Sequence, residues 1–121
     1  MKRVAVLGST GSVGTQTLDV ISQHADRLQV VALAAKQNAK LLLEQAARFG
    51  VDKLALFESR PDVAVPTGMA ALVDLVTDPG VDVVVMAVAG VIGLIPTMAA
   101  IQSGKQIALA SKEVWSQRAI W

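Results

Sequence analysis

The chain has 121 residues and a mass of 12.6 kDa, which is the size of one domain. A hydrophobic content of 53% and a mean hydropathy of +0.51 exclude a disordered chain. The absence of cysteine excludes disulfides, thiolate metal sites and a cysteine nucleophile. Eleven Lys+Arg against ten Asp+Glu leave a net charge of +1, and aromatic residues make up only 3%. That composition offers neither a basic footprint nor stacking platforms for nucleic acid.

The elements follow one another as strand and helix. Val4-Ala5-Val6-Leu7 is a continuous apolar run ended by Gly8, the pattern of a strand buried on both faces. The apolar run behind the basic start Met1-Lys2-Arg3 is too short for a signal-peptide core. Val13, Thr17, Val20 and Ile21 recur at helical spacing and predict a helix over 12–23. Val30-Val31-Ala32-Leu33 is a second buried strand. Asn38 is the expected N-cap of the next helix, with Leu42, Ala46 and Phe49 facing inward and Gly50 closing it in a left-handed conformation.

Residues 53–57 form a third strand, 58–66 a surface loop and 69–76 a short helix. Pro79-Gly80 turns the chain into a β-branched central strand over 81–88. A helix over 92–102 is expected to carry Pro96 in its first turn, where no hydrogen bond is lost. Gly104 ends that helix, and 106–110 is a fifth strand. Val83 to Ile101 contains no charge and approaches the length of a membrane span. Its glycines, Pro96 and β-branched front fit a buried strand followed by a core-facing helix instead. The fold expected is α/β: one Rossmann-like, doubly wound domain with a mostly parallel sheet. No membrane or nucleic-acid partner and a cytoplasmic location are expected.

Gly8-Ser9-Thr10-Gly11-Ser12-Val13-Gly14 joins the first strand to the first helix with GxxGxxG spacing. A dinucleotide pyrophosphate needs bare backbone N–H groups at a helix N-terminus. In this reading Gly8 turns the chain, Gly11 lets the backbone approach the phosphates and Gly14 lets the helix pack close. Thr10 and Ser12 add hydroxyl donors. A tight strand–helix turn with no ligand could require the same glycines. At the end of the second strand, Leu33-Ala34-Ala35-Lys36-Gln37-Asn38 has no acid to hold ribose hydroxyls and one cation able to attract a 2′-phosphate. This favours NADPH over NADH, the alternative being that Lys36 is an ordinary solvated lysine.

Several separated motifs resemble the 1-deoxy-D-xylulose 5-phosphate reductoisomerase family. They are the 8–14 loop followed by Thr17-Leu18-Asp19-Val20, the second strand with Asn38, and Gly90-Val91-Ile92-Gly93-Leu94-Ile95-Pro96-Thr97. Ala99-Ala100-Ile101, Gly104-Lys105 and Leu109-Ala110-Ser111-Lys112-Glu113 complete the series. The resemblance covers 1–114 as an NADPH-binding domain and leaves 115–121, with both tryptophans, as a non-matching tail marking the truncation point of a longer enzyme. It implies an NADPH- and divalent-metal-dependent enzyme of non-mevalonate isoprenoid biosynthesis. That enzyme rearranges 1-deoxy-D-xylulose 5-phosphate and reduces the product to 2-C-methyl-D-erythritol 4-phosphate, and the intact family enzyme is a homodimer.

Carried over by position, the resemblance implies that Thr10, Gly11, Ser12 and Val13 line the pyrophosphate. Lys36, Gln37 and Asn38 lie near the adenosine 2′-phosphate, Ser111 and Glu113 by the nicotinamide, and Lys112 at the substrate. The family often has glycine at Lys36 or Gln37 and asparagine at Ser111. Its Mg²⁺ or Mn²⁺ ligands lie downstream, and the eight residues after Glu113 include no acid or histidine, so no metal ligand or catalytic residue is assigned within this chain. Other NADP-dependent oxidoreductases, of the aspartate-semialdehyde and sugar types, share parts of the pattern. An inactive nucleotide-binding fragment is the non-enzyme alternative. His24 is expected to face solvent, Met69, Met86 and Met98 to fill the core, and Lys112 and Glu113 could equally form a surface ion pair.

Overall fold

A computed structural model describes residues 1–88 and 90–109, with the side chain of Val91 excepted. Five strands alternate with four helices: β1 (Lys2–Leu7), α1 (Ser12–Ser22), β2 (Leu28–Ala35), α2 (Ala39–Phe49), β3 (Lys53–Leu56), α3 (Met69–Val76), β4 (Val83–Met86), α4 (Val91–Gln102) and β5 (Gln106–Leu109). All four strand pairings are parallel and the order is β3-β2-β1-β4-β5. The expected doubly wound α/β sheet is therefore present, and it is wholly parallel over the described strands. The order reverses at β1, so the crevice at its carboxyl end lies between β2 and β4, where this class of sheet binds ligands.

Each sheet face has its own apolar layer. Val4, Val6, Leu33, Val83 and Val85 pack with Leu18 and Ile21 of α1 and Leu42 of α2. Ala5, Leu7, Val84 and Met86 face the other way, onto Leu72, Leu75 and Val76 of α3 and Ala100 of α4. The β1–β2 register slips between Val4 and Ala5, where β2 carries the extra residue Val31. Val31 is half-buried, whereas Val30 before it and Leu33 after it share one layer. The bulge thus lets a continuous apolar strand keep both layers in phase.

Asn38 caps α2 by accepting from the Leu41 N–H at 3.1 Å, and Gly50 closes the helix at φ 67°, both as expected. In α1 the buried stripe is Gly14, Thr17, Leu18 and Ile21, with Val20 only half-buried. Thr17 tolerates burial because its hydroxyl donates to the Val13 carbonyl at 2.9 Å.

Three expectations are corrected. β4 is shorter than its β-branched sequence because its ladder with the central strand ends where β1 ends, at Leu7 opposite Met86. Pro96 is the sixth residue of α4, past the first turn, so its missing N–H costs the bond that the Ile92 carbonyl would have accepted. Met98 is 52% exposed rather than core, whereas Met86 is buried and Met69 packs against the core as expected. His24 is exposed, as its position suggested. Residues 66–68 return to β3, where Leu56 donates to the Pro66 carbonyl and accepts from the Gly68 N–H, which covers that sheet edge. The uncharged 83–101 segment divides into β4 and part of α4, and no helix among the described residues is long and apolar enough to cross a membrane.

At the opposite end of the central strands, Arg3 clamps Asp82. The Arg3 backbone N–H and Nε both donate to Asp82 Oδ2, and Nη2 donates to Oδ1 at 3.0 Å. These hydrogen bonds and the guanidinium charge hold the Asp82 carboxyl down to about 2. The folded value lies below the unfolded one of about 3.9, so the stabilisation is complete above that value and disappears as pH falls toward 2. Asp82→Asn should therefore lower the urea midpoint at pH 7, with the gap from the parent closing between about pH 4 and 2. A gap that stays constant with pH would contradict the clamp. Gly14→Ala should cost about 3 kcal/mol, read from denaturant midpoints, because its Cβ would lie 1.9 Å from the Gly8 carbonyl oxygen.

Candidate cofactor-binding site

The loop between β1 and α1 is tied down from three sides. The N–H groups of Gly8 and Ser9 both donate to the Ala34 carbonyl on β2, at 2.8 and 3.1 Å. From α2, the buried Gln45 side chain donates Nε2–H to the Ser9 carbonyl at 2.8 Å. Beside them the residues that follow β4 crowd Gly8, where a Cβ would lie 2.6 Å from the Ala87 carbonyl oxygen. Gly8 also sits at φ 82°, a conformation costly for any other residue. Ser9 is fully buried beneath the turn, and its Oγ and Gln45 Oε1 have no protein partner among the described residues.

The upper side of the loop is open. Gly11 is the N-cap of α1 with an ordinary φ of −76°, no side chain caps the helix and its first turn carries no acid. A Cβ on Gly11 would meet only the Gly8 carbonyl oxygen, at 3.6 Å. Packing therefore demands glycine at 8 and 14 but not at 11. Among the described residues, the backbone N–H groups of Thr10, Ser12, Val13 and Gly14 find no acceptor. Unpaired donors at the positive end of a helix dipole are the chemistry that receives a phosphate. The donor set fits a dinucleotide pyrophosphate, and Thr10, Gly11, Ser12 and Val13 are brought together at that helix end.

Lys36 follows the last residue of β2 and is exposed on the rim of an apolar crevice walled by Gly8, Phe57, Val88, Ile92 and Gly93. Gln37 and Asn38 continue along that rim. Asn38 uses its side-chain oxygen to cap α2, which leaves its amide N–H groups for other partners. The β3–α3 loop comes back against the same rim. Oriented as its hydrogen bonding requires, the Gln37 amide nitrogen lies 3.2 Å from both carboxylate oxygens of Glu58. Arg60 Nη1 donates to the Gln37 carbonyl at 3.2 Å, and its Nε and Nη2 grip Asp62 at 3.0 and 2.9 Å.

That clamp raises the Arg60 guanidinium and lowers the Asp62 carboxyl relative to their ordinary values, chiefly through their mutual hydrogen bonds. The rim thus holds two cations and two anions, where the second-strand segment taken alone shows only Lys36. Glu58, Arg60 and Asp62 lie more than twenty positions along the chain from Lys36, and no local spacing signals their return. Ser111, Lys112 and Glu113 lie outside the described residues. No group of three or more His, Asp or Glu side chains that could hold a metal ion occurs among the described residues.

Comparison with known proteins agrees with this architecture. Residues 4–115 match the profile of the 1-deoxy-D-xylulose 5-phosphate reductoisomerase family. The reductoisomerase of Desulfitobacterium hafniense is 45% identical over 93% of this chain, and that of Heliobacterium modesticaldum 48% identical over 93%. The chain spans 32% of the length of each of these relatives. The solved Zymomonas mobilis enzyme, a complex with NADPH, superposes at a TM-score of 0.78 with 37% identity, covering 93% of this chain and 32% of that one. The family match favours this reading over the aspartate-semialdehyde and sugar-type oxidoreductases, which share only parts of the pattern. The chain therefore belongs to the 1-deoxy-D-xylulose 5-phosphate reductoisomerase family.

Proposed function

We propose that residues 1–114 form the NADPH-binding portion of a 1-deoxy-D-xylulose 5-phosphate reductoisomerase. The observation that carries this reading is the open, uncapped helix N-terminus at Gly11, beside glycines that packing alone explains. Thr10, Gly11, Ser12 and Val13 hold the pyrophosphate through backbone N–H groups and two hydroxyls. Lys36, on the rim of the apolar crevice, and its neighbours Gln37 and Asn38 lie along the adenosine 2′-phosphate. Ser111 and Glu113 stand by the nicotinamide, and Lys112 holds a substrate oxygen that gains negative charge. NADPH, when bound, supplies the hydride that reduces the rearranged aldehyde. This chain's residues bind and orient the cofactor and exclude bulk from the phosphate approach.

Homodimer formation, a cytoplasmic location and the substrate 1-deoxy-D-xylulose 5-phosphate belong to the same proposal. The described residues do not fit a Mg²⁺ or Mn²⁺ site, which needs a set of oxygen ligands they do not assemble, so no metal step is assigned to them.

Two outcomes are expected. Gly11→Val should leave the stability within about 1 kcal/mol of the parent, since the Cβ would meet only the Gly8 carbonyl oxygen, at an ordinary 3.6 Å. It should nevertheless weaken NADPH binding at least tenfold by fluorescence titration. Equal NADPH affinity in the variant would show that the loop is only a structural turn. The isolated 121-residue chain should bind NADPH more tightly than NADH and oxidise no NADPH with substrate and Mn²⁺. A turnover rate near that of a full-length relative would refute the second part.

A further inference from the structure

We infer that Arg60, from the loop after β3, is a specificity-determining residue that reads the phosphate monoester on the adenosine ribose alongside Lys36. The inference rests on the dinucleotide reading above. Its starting observation is the charge balance of the rim. Lys36 and Arg60 are matched in number by Glu58 and Asp62 on the same two loops, so the formal charges cancel and net attraction cannot select a doubly charged phosphate. Selection at a neutral rim has to come from directed donors.

Arg60 supplies them. A guanidinium carries five N–H groups, and three are engaged, one by the Gln37 carbonyl and two by Asp62. Two remain, one on each Nη, and planar guanidinium donors of this kind suit phosphate oxygens. The bidentate grip of Asp62 fixes the plane of the guanidinium, so it is already oriented when the ligand arrives. The Gln37 bond ties it to the backbone that follows β2, beside Lys36. Glu58, which would repel a phosphate, lies against the Gln37 amide. Lys36 contributes a mobile point charge, and Arg60 contributes the geometry.

Adenosine 2′,5′-bisphosphate and 5′-AMP differ only by the 2′-phosphate and can be titrated into the 121-residue chain by NMR chemical shift. Arg60→Gln should weaken the bisphosphate at least tenfold and change 5′-AMP less than twofold. Arg60→Lys should recover little, because a point cation lacks those planar donors. The unchanged 5′-AMP affinity also reports that the crevice is intact in each variant. Equal losses for both ligands, or full recovery with lysine, would overturn the role of Arg60 while leaving dinucleotide binding in place. Failure of the parent chain to bind either ligand would overturn the dinucleotide reading and this inference with it.

Discussion

The close approach of α1 to the end of β1 is the constraint on which the site depends. The Gly8 carbonyl oxygen occupies the space where any side chain on Gly14 would begin. With the helix this near, the chain has only a three-residue arc, Ser9-Thr10-Gly11, in which to leave the strand and enter the helix. Of its backbone donors, the Ser9 N–H is taken by the Ala34 carbonyl and the Gly11 N–H by the Gly8 carbonyl, which leaves the Thr10 N–H and the first N–H groups of α1 unpaired among the described residues. The arc is held by one β2 carbonyl and by a side chain from α2, so two neighbouring elements fix its position. Because β1 is the central strand, the arc stands over the crevice between β2 and β4. The phosphate site proposed at this loop thus follows from packing density, with no basic residue within it.

The two ends of the crevice operate by different physics. At α1 the field is that of aligned peptide dipoles and bare N–H groups, insensitive to side-chain identity except where bulk would intrude. At the rim beyond β2 the field is nearly neutral, with two ion-bearing loops meeting, and the directions of individual donors matter more than total charge. Mutual pairing of Arg60 with Asp62 stabilises little at such exposure, so orientation is its main consequence. A third surface has no polar role at all. α4 carries no charge, and Leu94, Ile95, Met98 and Ile101 stand exposed along it, with Leu109 on β5 nearby. Apolar surface of this extent is the kind that proteins place against other protein.

Much of the architecture was legible in the chain itself. Continuous apolar runs indicated strands buried on both faces, and the helix over 69–76, the Asn38 cap and the Gly50 terminus matched what is seen. Helical spacing shows that a face exists without showing where its edges fall, so it does not tell buried Leu18 from half-buried Val20, or exposed Met98 from a core residue. Pro96 lies past the first turn whether α4 starts at Ile92 or at Val91. The end of β4 is set by the end of β1, which its own β-branched residues cannot express.

The order of elements, the glycine spacing of the loop and each motif of the family resemblance are written in the chain alone, because each element, loop or motif is a run of neighbouring residues. Only tertiary structure decided which glycine is required by packing and which is left for a ligand, since that depends on what stands opposite an absent Cβ. It also decided the electrostatics of the rim. Glu58, Arg60 and Asp62 reach Gln37 through the pairing of β3 with β2, a contact between distant segments that no local pattern encodes.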